Sequence, residues 1–403
     1  MISGERPDMA ASVVLYRLRL VEPVLAGRPG GDANTVWSYP YLPGGAIRGA
    51  VLSAVGFDPA LVTALVHEER ATFLNAYLGV KDESRWLRSL PVPLTWRSQK
   101  QQGANDVIAV IAAAPGTETM EDTRSIRGFF ADSSRKTFVT EPDLNLQVHH
   151  QRHSGLGRPV KSSPDDREPG TIFRFASLAA NQRFSGAILI PDDTRTEVMR
   201  ALEPVKAGAT LRIGKARRSY GLAVIEEVTI LPNWDESPSG AASAAKVFTL
   251  TLLSPALFRD GFGGRTLEPD SGELARLLGQ PATVIGATTS AEPVGGFNRK
   301  WNLPLPSTIA AAAGSTYLVR CETPISSFAM LLREGLGERR VEGFGRVAVN
   351  LSAPTCVTRP PDIVEAAMPE LVDHTPPNHT AELLELLKTR MKAHAHGEAS
   401  NAE

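Results

Sequence analysis

The sequence predicts an α+β protein in which one ferredoxin-like unit, helices packed on an antiparallel sheet, occurs twice. Three observations predict it. A strand-like alternation opens the chain, a stretch poor in large apolar residues divides it, and short words recur in the same order on either side of that divide.

Ser12–Val21 reads SVVLYRLRLV, which puts Val14, Tyr16, Leu18 and Leu20 on one side of a half-buried strand. Asp58 and Pro59 then open a helical stretch expected to run through Tyr77 and close at Gly79, with Asp as N-cap, Pro in the first turn and Gly past the end. From Trp86 to about Gln147 the pattern is irregular and reads as an insertion with strands around Ile108. Helix candidates follow at Thr194–Ala207 and Ser326–Leu336. Between Pro232 and Lys246 lies NWDESPSGAASAA, rich in Ser, Gly and Ala and suited to a linker.

The recurring words carry the duplication. RLRLVEPVL (Arg17–Leu25) is echoed by TLTLLSPAL (Thr249–Leu257), AANQRF (Ala179–Phe184) by AAGSTY (Ala312–Tyr317), and YGLAVI (Tyr220–Ile225) by FGRVAV (Phe344–Val349). One such echo means little. Three in order, with a helix candidate before each last pair, predict a repeated unit in which a helix and a glycine loop precede the final strand. The expected division is a first domain over 11–232 with its insertion around 86–147, a linker at 233–245, a second domain over 246–356, and a tail from 357 with a helix at 380–393. That helix is read from Leu383, Leu384, Leu386, Leu387 and Met391 at helical spacing.

Composition narrows the function. Only Cys321 and Cys356 are present, too few for a disulfide framework and without metal-ligand spacing, so a cytoplasmic setting is expected. No leader and no run of apolar residues long enough to span a membrane is read from the sequence. The net charge of −1 is unevenly spread: Lys206, Arg212, Lys215, Arg217 and Arg218 stand in Pro204–Ile225 with no acid after Pro204 in that run. A polyanion meets the local field rather than the total, so RNA is not excluded.

In that run, LRIGKARRSYGLAVI (Leu211–Ile225) fails as a phosphate loop of the nucleotide type. Gly208 to Gly214 is one residue too long, and Ala216 stands where a magnesium-binding hydroxyl belongs. A solvated basic turn and an RNA grip remain. The grip is favoured by backbone access at Gly214 and Gly221, cations at Lys215, Arg217 and Arg218, and a stacking face at Tyr220. In YPYLPGGAIRGAV (Tyr39–Val51), Gly44 and Gly45 open a helix whose free amides, with Arg48 in the first turn, suit an anion; close helix-sheet packing is the alternative.

VHHQRHSGLGR (Val148–Arg158) holds His149, His150 and His153 but no second ligand pair, so no metal and no cofactor are expected. Contact of His150 and Arg152 with phosphate or ribose is the favoured reading, and acid-base work by an imidazole the other. In GGFNRKWNLPLP (Gly295–Pro306), Arg299, Lys300 and Trp301 suit backbone neutralisation with base stacking, against a buried structural Trp. In GERRVEGFGRVAV (Gly337–Val349), Arg339, Arg340 and Arg346 surround two glycines. Glu338 and Glu342 soften the field there and point to protein contact as the alternative.

These words resemble a known family. YLPGGAIRGAV is similar to the Pro-Gly-Ser-x-x-(Lys/Arg)-Gly segment of the RAMP superfamily, the RNA-binding subunits of CRISPR effector complexes. RIGKARRSYGLAVI and FGRVAV resemble its glycine-rich loops, and the second half resembles the two-domain RAMP subunit of type III-D systems. The resemblance runs over residues 12–351. It implies two RRM-like domains, a guide RNA capped at its 5'-handle end, and contact with backbone RAMP subunits and the large polymerase-like subunit. Target RNA is met through the guide, and no membrane partner is implied. By position, Gly44, Gly45, Arg48, His150, Arg152, Lys215, Arg217, Arg218 and Tyr220 would meet RNA. Gly45 departs from the pattern, since the family's Ser would offer a hydroxyl there.

Backbone members of the family cut target RNA with an aspartate in the loop that here contains Asp32. Capping members generally do not cut, and a Gly-Gly-Asp turn needs no catalytic explanation. The expectation is therefore a non-catalytic RNA-binding and assembly subunit. The alternatives are a RAMP endoribonuclease working through Asp32 or His150, which would process precursor or cleave target, and a protein scaffold.

Overall fold

A computed structural model describes residues 11–30, 34–99, 107–109, 123–133, 136–150, 172–191, 195–232, 234, 236, 245–298, 303–360 and 385. Met1–Pro360 forms one compact unit, which carries both halves of the repeat, and Pro361–Glu403 is a second unit. Apart from Glu385, the expected helix at 380–393 lies outside the described residues.

The first half begins with β1 (Ala11–Leu20), β2 (Thr35–Trp37), α1 (Gly44–Ala54), α2 (Pro59–Val62), β3 (Thr72–Phe73), β4 (Tyr77–Asp82) and β5 (Arg85–Arg88). The inserted stretch supplies β6 (Leu90–Pro91), β7 (Trp96–Gln99), β8 (Val107–Ala109), β9 (Thr123–Ser125), β10 (Phe129–Asp132) and β11 (Thr137–Thr140). Then come β12 (Leu144–His150), β13 (Ile172–Leu178), β14 (Arg183–Pro191), α3 (Arg195–Ala201), β15 (Thr210–Arg212) and β16 (Leu222–Pro232).

The main sheet runs β15-β16-β1-β14-β4-β5, with β3 also paired to β14. Counting β3 and β4 as one interrupted strand, β16-β1-β14-β3/β4 is the fourth-first-third-second order of a βαββαβ unit. The alternation of β1 explains its place: Val14, Tyr16, Leu18 and Leu20 face α1 and α3 and pack with Ile47, Val51 and Val198. Each of the valine, leucine and isoleucine side chains contributes about 1.5–3 kcal/mol by leaving water.

The expected helix from Asp58 to Tyr77 is shorter than its pattern. Asp58 does cap it, its Oδ1 accepting from the amides of Ala60 and Leu61 at 2.9 and 3.2 Å. Helical structure ends with a π turn at Thr63–His67, and the residues from Thr72 to Asp82 supply β3 and β4. The override is tertiary: Phe73 and Leu78 pair with Ile188 and Phe184 of β14, and all four side chains are buried.

The second half comprises β17 (Val247–Leu252), β18 (Phe258–Arg259), β19 (Arg265–Thr266), α4 (Ser271–Leu278), β20 (Ala282–Thr288), β21 (Ala291–Asn298), β22 (Leu303–Ala311), β23 (Thr316–Cys321), α5 (Ala329–Glu334), β24 (Val347–Val349) and β25 (Val357–Thr358). Its sheet order β20-β23-β17-β24 repeats the order of the first half, and all three pairings are antiparallel. The helix α4 is bounded by standard signals: the Asp270 carboxylate accepts from the Glu273 amide at 2.8 Å, and Gly279 leaves it at φ 72°.

The halves are joined by buried polar contacts. Tyr77 Oη donates to Leu253 O at 2.5 Å, inside a cluster that includes Trp96, Phe130 and Ala348. Glu236, in the expected linker, is buried between two arginines, with Arg88 Nη1 at 2.7 Å from Oε1 and Arg346 Nε at 2.9 Å from Oε2. Glu236 is thus held by one arginine from each half.

Candidate nucleic-acid interface

At the head of α1, the sequence expects free amides for an anion. Gly44 is needed there because a Cβ would stand 1.8 Å from Phe73 O, so the helix enters against β3 at a distance only glycine permits. Its amide is already taken, donating to Asn75 Oδ1 at 2.9 Å. The anion is already present too. Glu342, from the glycine loop of the second half, lies so close to Gly45 that a Cβ there would stand 3.0 Å from its Oε2. Arg48 Nη2 approaches Glu342 Oε1 at 3.3 Å, and Arg339 Nη2 approaches Oε2 at 2.6 Å. The positive end of a helix favours a carboxylate as it favours phosphate. In this structure the anion nearest Gly45 and Arg48 is an internal carboxylate.

Arg346 is 6% exposed, bonded to Glu236 and donating through Nη1 to Arg333 O at 2.9 Å. A guanidinium so enclosed supports the junction of the halves and does not face RNA.

The glycine loop between β15 and β16 is built to hold its cations outward. Gly214 has φ 83°, and a Cβ on it would stand 2.5 Å from Leu25 O. This close approach lets Lys215 N donate to the same carbonyl at 3.0 Å. Arg212 braces the loop from within, its Nη1 meeting Glu22 Oε2 at 3.1 Å and Arg217 O at 2.7 Å. Arg217 Nε returns to Gly214 O at 3.2 Å and its side chain is half-buried. Lys215 and Arg218 are exposed.

Tyr220 does not offer a stacking face. Its ring is buried against Phe175 and His149, and its hydroxyl bonds to Gln147 and lies 2.8 Å from His149 Nε2. Removal from water pushes the phenol above its ordinary 10.0. Tyr220 therefore seats the loop on the β12-β13-β2 sheet, and the expected base contact is replaced by a structural one.

That small sheet has two unlike faces. His149, Phe173 and Phe175 line the side toward the glycine loop, with the first two rings stacked at 5.3 Å. The alternate residues Leu144, Leu146, Val148 and His150 of β12, Ile172 and Arg174 of β13, and Trp37 of β2 are exposed. Here an indole, an imidazole and a guanidinium share one face, a set suited to stacking and phosphate contact. His150 is exposed on this face. Trp37 and Arg174 were missed, though the words TVW and FRF signal their alternation.

Asp32, Arg152, Arg299, Lys300 and Trp301 lie outside the described residues. Among the described residues no cluster of His, Cys, Asp or Glu is grouped to hold a metal, and no helix is long and apolar enough to cross a membrane.

Residues 174–350 match the family model described as CRISPR-associated protein (Cas_Cmr3), a stretch that includes the glycine loop, Glu236 and Arg346 of the buried junction, and the second sheet. No curated protein matches the chain. Among solved structures, a chain of the type III-B Cmr-beta complex bound to cognate target RNA and AMPPnP is similar at 11% identity and TM-score 0.40, covering 76% of this chain and 86% of that one. A CRISPR-associated Cas6 protein aligns at 9% identity and TM-score 0.32, over 84% of this chain and 98% of that one. Oligomeric Cmr4 from Pyrococcus furiosus aligns at 12% identity and TM-score 0.27, over 56% and 99%. The family match supports a RAMP-type subunit of a type III CRISPR system.

Proposed function

We propose that this RAMP-type CRISPR type III subunit binds guide RNA by its backbone and caps the 5'-handle end of the guide in the effector complex. The observation that carries the reading is the glycine loop at 212–221, inside the family match, which turns Lys215 and Arg218 to solvent while Arg212, Arg217 and Tyr220 hold its shape. Cations on a rigid loop fix the position of phosphates, and pairing by the guide supplies target specificity. The exposed His150, Arg174 and Trp37 add a second surface for ribose, phosphate or base. Its neighbours are the backbone RAMP subunits and the large polymerase-like subunit, and target RNA is reached through the guide.

The same reading divides the chain at the buried Glu236. Residues 11–232 and 246–356 are the two RAMP domains, and 233–245 the connector. No catalytic residue is assigned.

The test is sequencing of RNA that copurifies with the full chain and its genomic neighbours. Short RNAs sharing one 5' end are expected. Random fragments, or none, would overturn the reading and favour a protein scaffold.

A further inference from the structure

The outer face of the first sheet, opposite its helices, carries a cationic cluster that the glycine loop does not explain. Arg17 and Arg19 project from β1 and Arg183 from the neighbouring β14, in register with Arg19. All three converge on one carboxylate. Arg17 Nε stands 3.5 Å and Arg183 Nε 2.8 Å from Glu226 Oε2, and Arg19 Nε 3.1 Å from Oε1. Arg17 also reaches Glu227 at 2.7 Å.

The carboxylate is there because of a bulge. Arg17 pairs with Glu227 and Leu18 with Ile225, so Glu226 is the extra residue on β16, and its side chain turns onto the arginine face. Trp86 of β5 floors the cluster, with the guanidinium carbons of Arg17 and Arg183 at 5.4 and 4.9 Å from its ring. The arginine side chains keep 15–25% of their surface, so the cluster is held in place yet reachable.

A guanidinium carries several N–H donors, so Arg17 and Arg19 keep donors beyond those that Glu226 and Glu227 take. We propose that this face is a second contact for single-stranded RNA, in which a backbone phosphate takes the place that Glu226 holds as a resident counterion. The proposal rests on the reading of the chain as an RNA-binding subunit. Glu226 then competes with phosphate: it keeps the arginines aligned in the free protein and weakens RNA binding at this face. A purely structural cluster would lack that competition.

The competition gives a test with a sign. The probe is a fluorescein-labelled 12-nucleotide single-stranded RNA, titrated by anisotropy against the full chain at several salt concentrations. Arg19→Gln with Arg183→Gln is expected to weaken binding about five- to tenfold and flatten the salt slope by roughly 0.7 for each phosphate no longer neutralised. Glu226→Gln is expected to tighten binding about three- to tenfold and steepen the slope, a change that damage to the fold does not produce. RNA should also raise the melting temperature of Glu226→Gln more than that of the parent.

Unchanged or weaker binding by Glu226→Gln overturns the proposal, as does wild-type affinity in the double arginine variant. Stabilisation of Glu226→Gln by inorganic phosphate but not by the RNA would assign the face to a free phosphate, and overturn the RNA contact. If binding depends on Lys215 and Arg218 but not on this face, the inference falls and the proposed function stands. Absence of RNA binding by the parent overturns both.

Discussion

Arg48 in the first turns of α1 meets Glu342 of the second half at 3.3 Å, and the carboxylate it meets is the anion at the head of that helix. Arg339 closes the other oxygen at 2.6 Å. A carboxylate of one half of the repeat thereby lies at the helix terminus of the other, and the Gly44 amide is taken by Asn75.

Glu342→Gln should therefore loosen the junction without weakening RNA binding. The pairs are partly exposed, so the expected loss is about 1–2 kcal/mol, read from the denaturant midpoint. An RNA affinity that falls with the stability would place phosphate at this helix after all.

Glu236 should matter more. Replacing it by Gln leaves the guanidiniums of Arg88 and Arg346 enclosed without their counter-charge, at an expected cost of about 3–5 kcal/mol. Burial raises the carboxyl's pKa, but the two arginines outweigh it and hold the group below its ordinary 4.5. A folded pKa below the unfolded one means the stabilisation is complete above the ordinary value and lost as pH falls through the depressed one. The stability gap between parent and Glu236→Gln should accordingly be wide at pH 6 and shrink below about pH 4.5. A gap that stays constant with pH would show that Glu236 acts by packing alone.

Two glycines of α1 should respond oppositely to alanine. A Cβ at Gly44 would stand 1.8 Å from Phe73 O, whereas nothing lies within 4 Å of one at Gly49. Thermal melts should show Gly44→Ala strongly destabilised, and Gly49→Ala stabilised by about 0.5–1 kcal/mol from helix propensity. Equal melting temperatures would contradict the close entry of α1 against β3.

Much of the fold was legible in the sequence, because local pattern and the repeated words carried it. The first echo closes the first strand of each sheet, β1 and β17, and the other two lead into the third and fourth, β14 and β23, then β16 and β24. The turn to strand after His67 was not legible, since pairing with β14 decides it. The helix α4 was overlooked although Asp270, Glu273 and Gly279 mark its ends.

The site was harder to read. Arg346 and Tyr220 looked like contacts because their neighbours are cationic and glycine-rich. Their burial depends on Glu236 and Gln147, far away in the sequence. Arg17 and Arg19 looked like the wet side of a strand, and only the bulge at Glu226 and the neighbouring Arg183 gather them into one cluster.

Lys215→Gln with Arg218→Gln should lower RNA affinity about tenfold at low salt and reduce the salt slope, while Tyr220→Phe should cost about 1 kcal/mol of stability and leave the slope unchanged. Anisotropy titrations and melts on the same samples separate the two. A Tyr220→Phe variant that binds RNA poorly but melts normally would return that side chain to the RNA.

The most direct test is ultraviolet crosslinking of the full chain to its copurified guide RNA, with the crosslinked peptides identified by mass spectrometry. Crosslinks are expected within residues 212–221 and none within 43–54, where Glu342 lies at the helix terminus. Crosslinks concentrated in 43–54 and absent from 212–221 would contradict this.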